Sequence, residues 1–310
     1  MLLGACGSGG ESVSAEPPVT PQEVQCQALG WQRLLVDAAG LQRVVLWKAP
    51  TTGWSKGAVM VMHGGGGQHA NFCVANASII AAQVRFTDAA LAQGFAVFLP
   101  DSSDRVTDTQ GRLCGKVWDD EVRQRPNLDL PFIEKLLDVT LPGLRPVGSR
   151  PEVFLTGLSS GGYMSVRAAT RFADRVTAFA PVSSGDPYGW FRDCTPRAGD
   201  RVNVFGAAFD NETRRQIIEP GACLSASQTQ EQPWDGSTLA ARPPWRAFHH
   251  VQDGIHDVSC VDKLRGQLQA RGYPETPALR LDGGTRSADW HYWLDSYNPP
   301  LLDFFSAPLR

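Results

Sequence analysis

Short apolar runs alternate along the chain with segments in which apolar residues recur every three or four positions. The runs predict strands over residues 41–50, 57–67, 95–101, 151–157, 176–184, 245–253 and 278–284. The amphipathic segments predict helices over residues 77–94, 128–141, 162–174, 258–272 and 299–308. This alternation indicates the α/β class, with a mostly parallel, doubly wound sheet and helices on both faces. Because ligands of such sheets bind at the carboxyl ends of the strands, we expect functional residues directly after strands.

The chain divides into a short leader and one large domain. Residues 1–24 are rich in Gly, Ser, Pro and Glu, which predicts a lipoprotein-like leader with a flexible tether. Residues 25–310 are long enough for a single large α/β domain. Residues 185–243 have no regular pattern, and we interpret them as a lid-like insertion before the penultimate strand.

The charged residues are nearly balanced, with 29 basic and 32 acidic side chains. No basic run is longer than two residues, whereas a nucleic-acid-binding protein needs a concentrated positive surface. The longest apolar runs fall far short of the roughly 20 residues that a membrane span needs. We therefore expect neither a nucleic-acid partner nor a transmembrane segment.

The N-terminal sequence Leu3-Gly4-Ala5-Cys6 is similar to a bacterial lipobox. It predicts a lipid anchor at Cys6 and export, either to the cell envelope as a lipoprotein or periplasmic protein, or into the medium. A chance match at a disordered chain end remains the alternative.

Six cysteines follow Cys6, and six are enough for three disulfides. No two of them form a C-x-x-C pair, so neither a zinc ribbon nor a thioredoxin-like site is expected. An exported protein would oxidise them, and six buried thiols are the alternative. The candidate pairs are Cys194–Cys223, Cys223–Cys260 and Cys73–Cys114.

The sequence Gly157-Leu158-Ser159-Ser160-Gly161 has the pattern G-x-S-x-G where a predicted strand meets a predicted helix. Glycines at both ends permit a tight turn that would hold the Ser159 hydroxyl above the sheet, at a helix N-terminus. The pattern is typical of a serine nucleophile. A serine that only caps the helix is the alternative.

A serine nucleophile needs a base, and in this architecture the acid and the histidine follow it in the order Ser, Asp, His. Of the six histidines, only His291 follows the last predicted strand. The acid is expected after the penultimate strand, in the sequence DGIHD. We predict Asp257, which stands in a turn before a helix, and retain Asp253 as the alternative.

Four glycines follow His63 at the end of an earlier strand, in the sequence HGGGG. Adjacent glycines let backbone N–H groups approach a substrate oxygen closely. We predict that the amides of Gly65 and Ser160 form an oxyanion hole, with Gly66 as the alternative to Gly65. The competing interpretation is a flexible glycine hinge.

The motifs MHGGGG, GLSSGGYM, DGIHD and ADWHYWL, in this order, resemble those of the α/β-hydrolase superfamily. The likeness covers about residues 40–310 and is greatest to bacterial esterases of the polyhydroxybutyrate-depolymerase and feruloyl-esterase group. The segment NLDLPFIEKLL also resembles the helix that precedes the serine turn in that group. The resemblance implies the α/β-hydrolase fold and an exported enzyme. It also implies that a Ser-His-Asp triad hydrolyses a small or polymeric carboxylic ester through an acyl-enzyme, with no cofactor and no metal.

Aromatic side chains are the candidates for substrate contacts, chiefly Tyr163, Trp190 and Trp290. Trp190 belongs to the insertion, where Tyr188 and Trp234 are also expected to face a ligand. The turn GIHD resembles serine peptidases of the same superfamily, so a peptidase is an alternative. A non-catalytic or metal-binding protein is another, because HHVQDGIHD holds three histidines and two aspartates.

Overall fold

The computed structural model describes most of the chain. The described residues are 16–103, 105–107, 115–120, 126–189, 209–210, 215–216, 233–256 and 258–309. Among them, no helix is long and apolar enough to cross a membrane.

Ten strands occur in the described residues, and eight of them form one sheet. In chain order they are β1 (Gln32–Ala38), β2 (Leu41–Lys48), β3 (Ala58–Met62), β4 (Ala96–Pro100), β5 (Val153–Leu158), β6 (Ala178–Val182), β7 (Phe209–Asp210), β8 (Arg215–Gln216), β9 (Phe248–His250) and β10 (Leu279–Leu281). The order across the large sheet is β1-β2-β4-β3-β5-β6-β9-β10, and β7 pairs only with β8. β2 is antiparallel to both of its neighbours, whereas every pair from β4 onward is parallel. The mostly parallel sheet predicted from the sequence is confirmed.

Helices pack on both faces of this sheet. They are α1 (Pro21–Ala28), α2 (Ala81–Ala92), α3 (Leu130–Lys135), α4 (Leu141–Leu144), α5 (Ser160–Arg171), α6 (Ser259–Gln269) and α7 (Asn298–Ser306). A π-helical turn over Leu136–Thr140 joins α3 to α4, so the single helix predicted there is locally widened. The other four predicted helices are also present, as α2, α5, α6 and α7.

The central strand β3 is apolar at every position because both of its faces are covered. Ala58, Met60 and Met62 belong to the buried cluster that packs α3, α5 and α6 against one face. Val59 and Val61 belong to the second cluster, which packs α2 and α7 against the other face. Successive side chains of a strand point to opposite faces, so a strand covered on both sides needs an apolar residue at every position.

The folded chain begins earlier than residue 25. Helix α1 starts at Pro21, and Thr20 caps it: the Thr20 hydroxyl accepts from the Glu23 N–H, and the Glu23 carboxylate accepts from the Thr20 N–H. The edge strand β1 has no counterpart among the predicted strands, because only Val36 and Ala38 of its side chains are fully buried. An edge strand of this kind gives a weak periodic signal.

Cys26 and Cys73 form a disulfide, with their Cα atoms 5.7 Å apart. The candidate pair Cys73–Cys114 is therefore wrong: α1 packs beside the segment that carries Cys73, so Cys26 is its partner. Cys260 is also disulfide-bonded. Cys194 and Cys223 lie outside the described residues, so the candidate pairs Cys194–Cys223 and Cys223–Cys260 both stay predictions.

Candidate active site

Ser159 stands at the turn between β5 and α5. Its φ of 52° and ψ of −118° lie in a region that residues other than glycine rarely adopt. Hydrogen bonds fix the turn on both sides: the Ser159 N–H donates to the Val182 carbonyl, and its own carbonyl accepts from the Tyr163 N–H, both at 2.9 Å. A strained serine between strand and helix has the geometry of a nucleophile-bearing turn.

The glycines around Ser159 are required because there is no space for a side chain. A Cβ on Gly157 would lie closer than 3.0 Å to the Gly161 carbonyl. A Cβ on Gly161 would lie equally close to the carbonyl oxygens of Met62 and His63. The first turn of α5 therefore sits directly against the end of β3, which brings the serine turn beside the glycine loop.

His291 and Asp253 form the second part of the site. His291 ends a short 3-10 helix after β10, and Asp253 lies in the turn after β9. His291 Nδ1 is 2.8 Å from Asp253 Oδ2, and both side chains are buried. A carboxylate only accepts hydrogen bonds, so Nδ1 carries the proton and Nε2 is the basic nitrogen of the neutral ring.

The Asp253 carboxylate is buried but well hydrogen-bonded. Its Oδ1 accepts from the N–H groups of Ile255 at 2.7 Å and His256 at 3.0 Å. Burial by itself would raise the pKa of Asp253, but the charge and hydrogen bond of His291, with His249 and His256 nearby, hold that pKa below its usual value. The carboxylate is therefore ionised at neutral pH and suited to stabilise an imidazolium.

Asp257, the acid preferred from the sequence, lies outside the described residues. The carboxylate that contacts His291 belongs to Asp253, the alternative acid. Two backbone hydrogen bonds join the Asp253 turn to the loop before His291, from Gly254 N–H to the Ser287 carbonyl and from Ser287 N–H to that of Gln252. These bonds between loops bring Asp253 to the histidine.

Two of the backbone N–H groups in the glycine loop are already used in hydrogen bonds. Gly67 N–H donates to the Gly64 carbonyl at 3.1 Å, and Gly66 N–H donates to the Lys116 carbonyl at 2.7 Å. Among the described residues, Gly65 N–H has no acceptor. This arrangement favours Gly65 over Gly66 as an oxyanion donor.

Residues 115–120 connect this loop to the serine turn. The Trp118 indole N–H donates to the His63 carbonyl at 2.8 Å, and the Trp118 backbone N–H donates to Ser160 Oγ at 3.0 Å. Ser160 Oγ in turn donates to the buried carboxylate of Asp120 at 3.0 Å. Ser160 therefore contributes its hydroxyl to the structure, in addition to the amide that sequence analysis singled out.

Two rings connect the start of α5 to His291. The Tyr163 hydroxyl is 3.5 Å from His256 Nδ1, and the ring centroids of His256 and His291 are 4.9 Å apart. Among the described residues, no hydrogen bond joins the Ser159 hydroxyl to His291. In many hydrolases this bond tightens only when substrate is present. Tyr163, a predicted substrate contact, thus contacts His256, whose ring lies next to that of the candidate base.

Trp290, another predicted substrate contact, packs against a histidine at the end of β9. The Trp290 ring stacks on the His250 ring with centroids 4.2 Å apart, and its indole N–H donates to the Thr285 carbonyl. Trp290 therefore braces the loop that carries His291. Trp190 lies outside the described residues.

The ends of the insertion are anchored to α5. The buried Tyr188 hydroxyl contacts Thr170 Oγ1 at 2.7 Å and Asp235 at 3.2 Å, and Arg167 pairs with the same aspartate at 2.8 Å. The Trp234 ring lies 4.4 Å from the Tyr188 ring. Tyr188 and Trp234 thus pack the two described ends of the insertion against α5, which differs from the ligand-facing role expected of them.

His249 and His250 point away from each other, as expected for neighbouring strand residues. His249 Nε2 donates to the His256 carbonyl at 2.9 Å, whereas His250 stacks on Trp290. In the described part of the chain, no group of three or more His, Cys, Asp or Glu side chains could hold a metal ion.

The sheet order and the serine turn can be compared with solved structures. A protein of unknown function from Agrobacterium tumefaciens, described as an α/β hydrolase, is 13% identical and matches 90% of this chain and 96% of its own with a TM-score of 0.51. The protein has the α/β-hydrolase fold. A thermostable esterase is 13% identical over 89% of this chain and 62% of its own, with a TM-score of 0.50. An acylaminoacyl peptidase is 15% identical over 89% of this chain and 41% of its own, also with a TM-score of 0.50.

No protein-family model and no curated protein matches the sequence. The α/β-hydrolase fold explains the chain order of the site residues. In this fold the nucleophile follows a central strand, and the acid and histidine follow later strands at the same edge. Here those positions fall after β5, β9 and β10.

Two buried carboxylates beside His63 and His69 were not singled out by the sequence analysis. Glu23 lies on α1 and Asp101 directly follows β4. The sequence does carry a signal for each. Thr20 and Glu23 have the T-x-x-E spacing of a helix capping box, and Asp101 stands at a strand's carboxyl end.

Proposed function

We propose that the protein is a serine hydrolase that cleaves carboxylic esters. Ser159 is the nucleophile, His291 the base, and Asp253 the acid that orients His291. The observation that carries the proposal is the buried His291–Asp253 pair. Like the strained Ser159 turn, this pair lies at the carboxyl ends of the parallel strands. The likeness in fold to a thermostable esterase gives further support.

The reaction follows from these positions. Ser159 Oγ attacks the ester carbonyl while His291 Nε2 takes its proton, and the ionised Asp253 stabilises the imidazolium. The amides of Gly65 and Ser160 donate to the oxyanion of the tetrahedral intermediate. His291 then protonates the departing alcohol, and water releases the acid from the acyl-enzyme by the same steps.

The direct test is hydrolysis of short-chain fluorogenic esters by Ser159→Ala. Because the triad acts as a unit, kcat/KM should fall by about 10⁴-fold or more. Circular dichroism should show an intact fold. Ser165→Ala is the matched control, since its hydroxyl bonds only the Gly162 carbonyl within α5, and it should retain activity within about threefold. Equal turnover by folded Ser159→Ala and wild type would reject the proposal.

The substrate class is proposed from the resemblance to polyhydroxybutyrate depolymerases and feruloyl esterases. A panel of acyl chain lengths, feruloyl esters, polyhydroxybutyrate and acyl-peptide anilides separates ester from peptide hydrolysis. Ser159-dependent cleavage confined to the anilides would favour the peptidase alternative. No turnover on any member, with no labelling of Ser159 by a fluorophosphonate, would favour a non-catalytic protein.

We also propose that the protein works outside the cytoplasm and is anchored through Cys6. The buried Cys26–Cys73 disulfide supports an oxidising compartment. Cys6 itself lies outside the described residues. Fractionation of wild type and Cys6→Ser tests the anchor: the wild type should sediment with membranes and the variant should be released. The same distribution for both would exclude a lipid at Cys6.

A further inference from the structure

The orientation of the Gly64–Gly65 peptide is set by a histidine. His63 Nδ1 lies 2.7 Å from the Gly64 carbonyl oxygen, and this nitrogen must donate because the oxygen only accepts. Gly67 N–H is a second donor to the same oxygen. The C=O and N–H of a trans peptide point in opposite directions. Holding the Gly64 carbonyl from one side therefore aims Gly65 N–H to the other.

His63 is held in turn by the segment after β4. Its Nε2 accepts from the Ser102 N–H at 3.1 Å, and the carboxylate of the preceding residue, Asp101, lies 3.1 Å from the same nitrogen. Asp101 Oδ2 is 2.5 Å from the Lys116 ammonium. The backbone that Asp101 shares with Ser102 thus fixes the imidazole that orients the glycine loop.

His69 connects this carboxylate to the N-terminal helix. Its Nδ1 lies 3.0 Å from Asp101 Oδ1, and its Nε2 lies 2.8 Å from Glu23 Oε1 on α1. The side chains of His69 and Glu23 are each only 2% exposed, so water does not screen these contacts. A carboxylate oxygen close to each ring nitrogen favours the doubly protonated, cationic ring over the neutral one.

We propose that His69 is a positioning residue for the oxyanion loop. As a cation between Glu23 and Asp101 it fixes the backbone after β4, whose Ser102 N–H holds His63, and His63 in turn aims Gly65 N–H. The inference rests on the proposed function for its effect on catalysis. Under this proposal, helix α1 supports the active site through Glu23, although α1 lies far from Ser159 in sequence.

The charges around His69 agree with this role. Burial by itself would lower the pKa of His69, but Asp101 and Glu23 raise it to about 8. Arg33 of β1 faces Glu23 at 3.4 Å, and Lys116 and His63 face Asp101. Because the folded pKa exceeds the unfolded value near 6.5, the stabilisation by the cation is complete below pH 6.5 and is lost as the pH rises through about 8.

The kinetic test is the pH profile of kcat for Glu23→Gln. In the wild type, kcat should decline above pH 8, while KM changes little because the oxyanion forms only in the transition state. Glutamine can still cap Thr20 N–H, but it removes one anion beside His69. The alkaline limb should therefore move to lower pH by roughly one unit.

Two further variants complete the design. Glu16→Gln is the matched control: Glu16 pairs with Arg33 at 2.8 Å, has an exposed side chain and makes no contact with His69. The alkaline limb of its kcat–pH profile should coincide with that of the wild type. His69→Gln should lack the limb and lose kcat by roughly 10- to 100-fold, less than deletion of an oxyanion donor. A role limited to stability would lower the amount of folded enzyme without moving the limb.

An NMR titration separates this inference from the proposed function, because it needs no substrate. The amide resonance of Gly65 should titrate with the His69 ring near pH 8 in the wild type, at lower pH in Glu23→Gln, and not at all in His69→Gln. A Gly65 resonance that stays unchanged while the His69 ring titrates would overturn the inference, whether or not the protein hydrolyses esters. So would identical alkaline limbs for Glu23→Gln and Glu16→Gln.

Discussion

Replacing Asp253 by asparagine alters one contact of the site and preserves the others. The amide oxygen can still accept from the N–H groups of Ile255 and His256, so the turn should persist. The amide nitrogen then takes the place of Oδ2, 2.8 Å from His291 Nδ1. Two donors cannot face each other, so His291 must adopt the other tautomer, with its proton on the nitrogen that should act as base.

The expected loss follows from that tautomer change. We expect kcat to fall by about 10³- to 10⁴-fold, which corresponds to about 4–5.5 kcal/mol in the activation barrier. The folded state also loses a carboxylate whose pKa is lowered. Such a group contributes stability above its unfolded pKa and loses it as the pH falls through the folded value. Asp253→Asn should therefore melt at a lower temperature at pH 7 and show a weaker loss of stability on acidification.

The assay compares kcat on a short-chain ester for Asp253→Asn and Asp257→Asn, with melting curves between pH 3 and pH 7. Asp257→Asn is the matched control and should stay within about threefold of wild type. A folded Asp253→Asn enzyme that keeps a tenth of wild-type kcat would refute the reasoning. A larger loss in Asp257→Asn would instead restore the acid preferred from the sequence.

Three other predictions concern the turn, the disulfide and the aromatic residues. Gly161→Ala should destabilise the protein by about 3 kcal/mol or prevent folding, because its Cβ would overlap two carbonyls at the end of β3; a normal melting temperature would contradict this. Replacing Cys26 and Cys73 by serine should cost about 4 kcal/mol, given their separation of 47 residues, and denaturant unfolding measures it. Trp290→Ala should lower kcat on all esters alike, whereas Trp190→Ala should change the ratio of kcat/KM between bulky and short acyl esters; an unchanged ratio would remove the insertion from substrate choice.

Much of the fold follows from local sequence. The apolar run 153–158, the glycines at 157 and 161 and the amphipathic segment behind them are consecutive, so a strand, a tight turn and a helix could be predicted together. The alternation of such units implies the parallel sheet. Ser159 and His291 could be placed for the same reason, because each follows a strand that can be recognised by itself.

The tertiary structure decided which residues meet across the sheet. The contact of Asp253 with His291 depends on hydrogen bonds between its turn and Ser287, which no turn pattern contains. The partner of Cys73 and the Glu23–His69–Asp101 contacts likewise join α1 to loops that follow β3 and β4. Periodicity and turn chemistry describe only neighbours along the chain, whereas the orientation of a buried carboxylate or amide is fixed by donors and acceptors from distant segments, which the sheet brings to one edge.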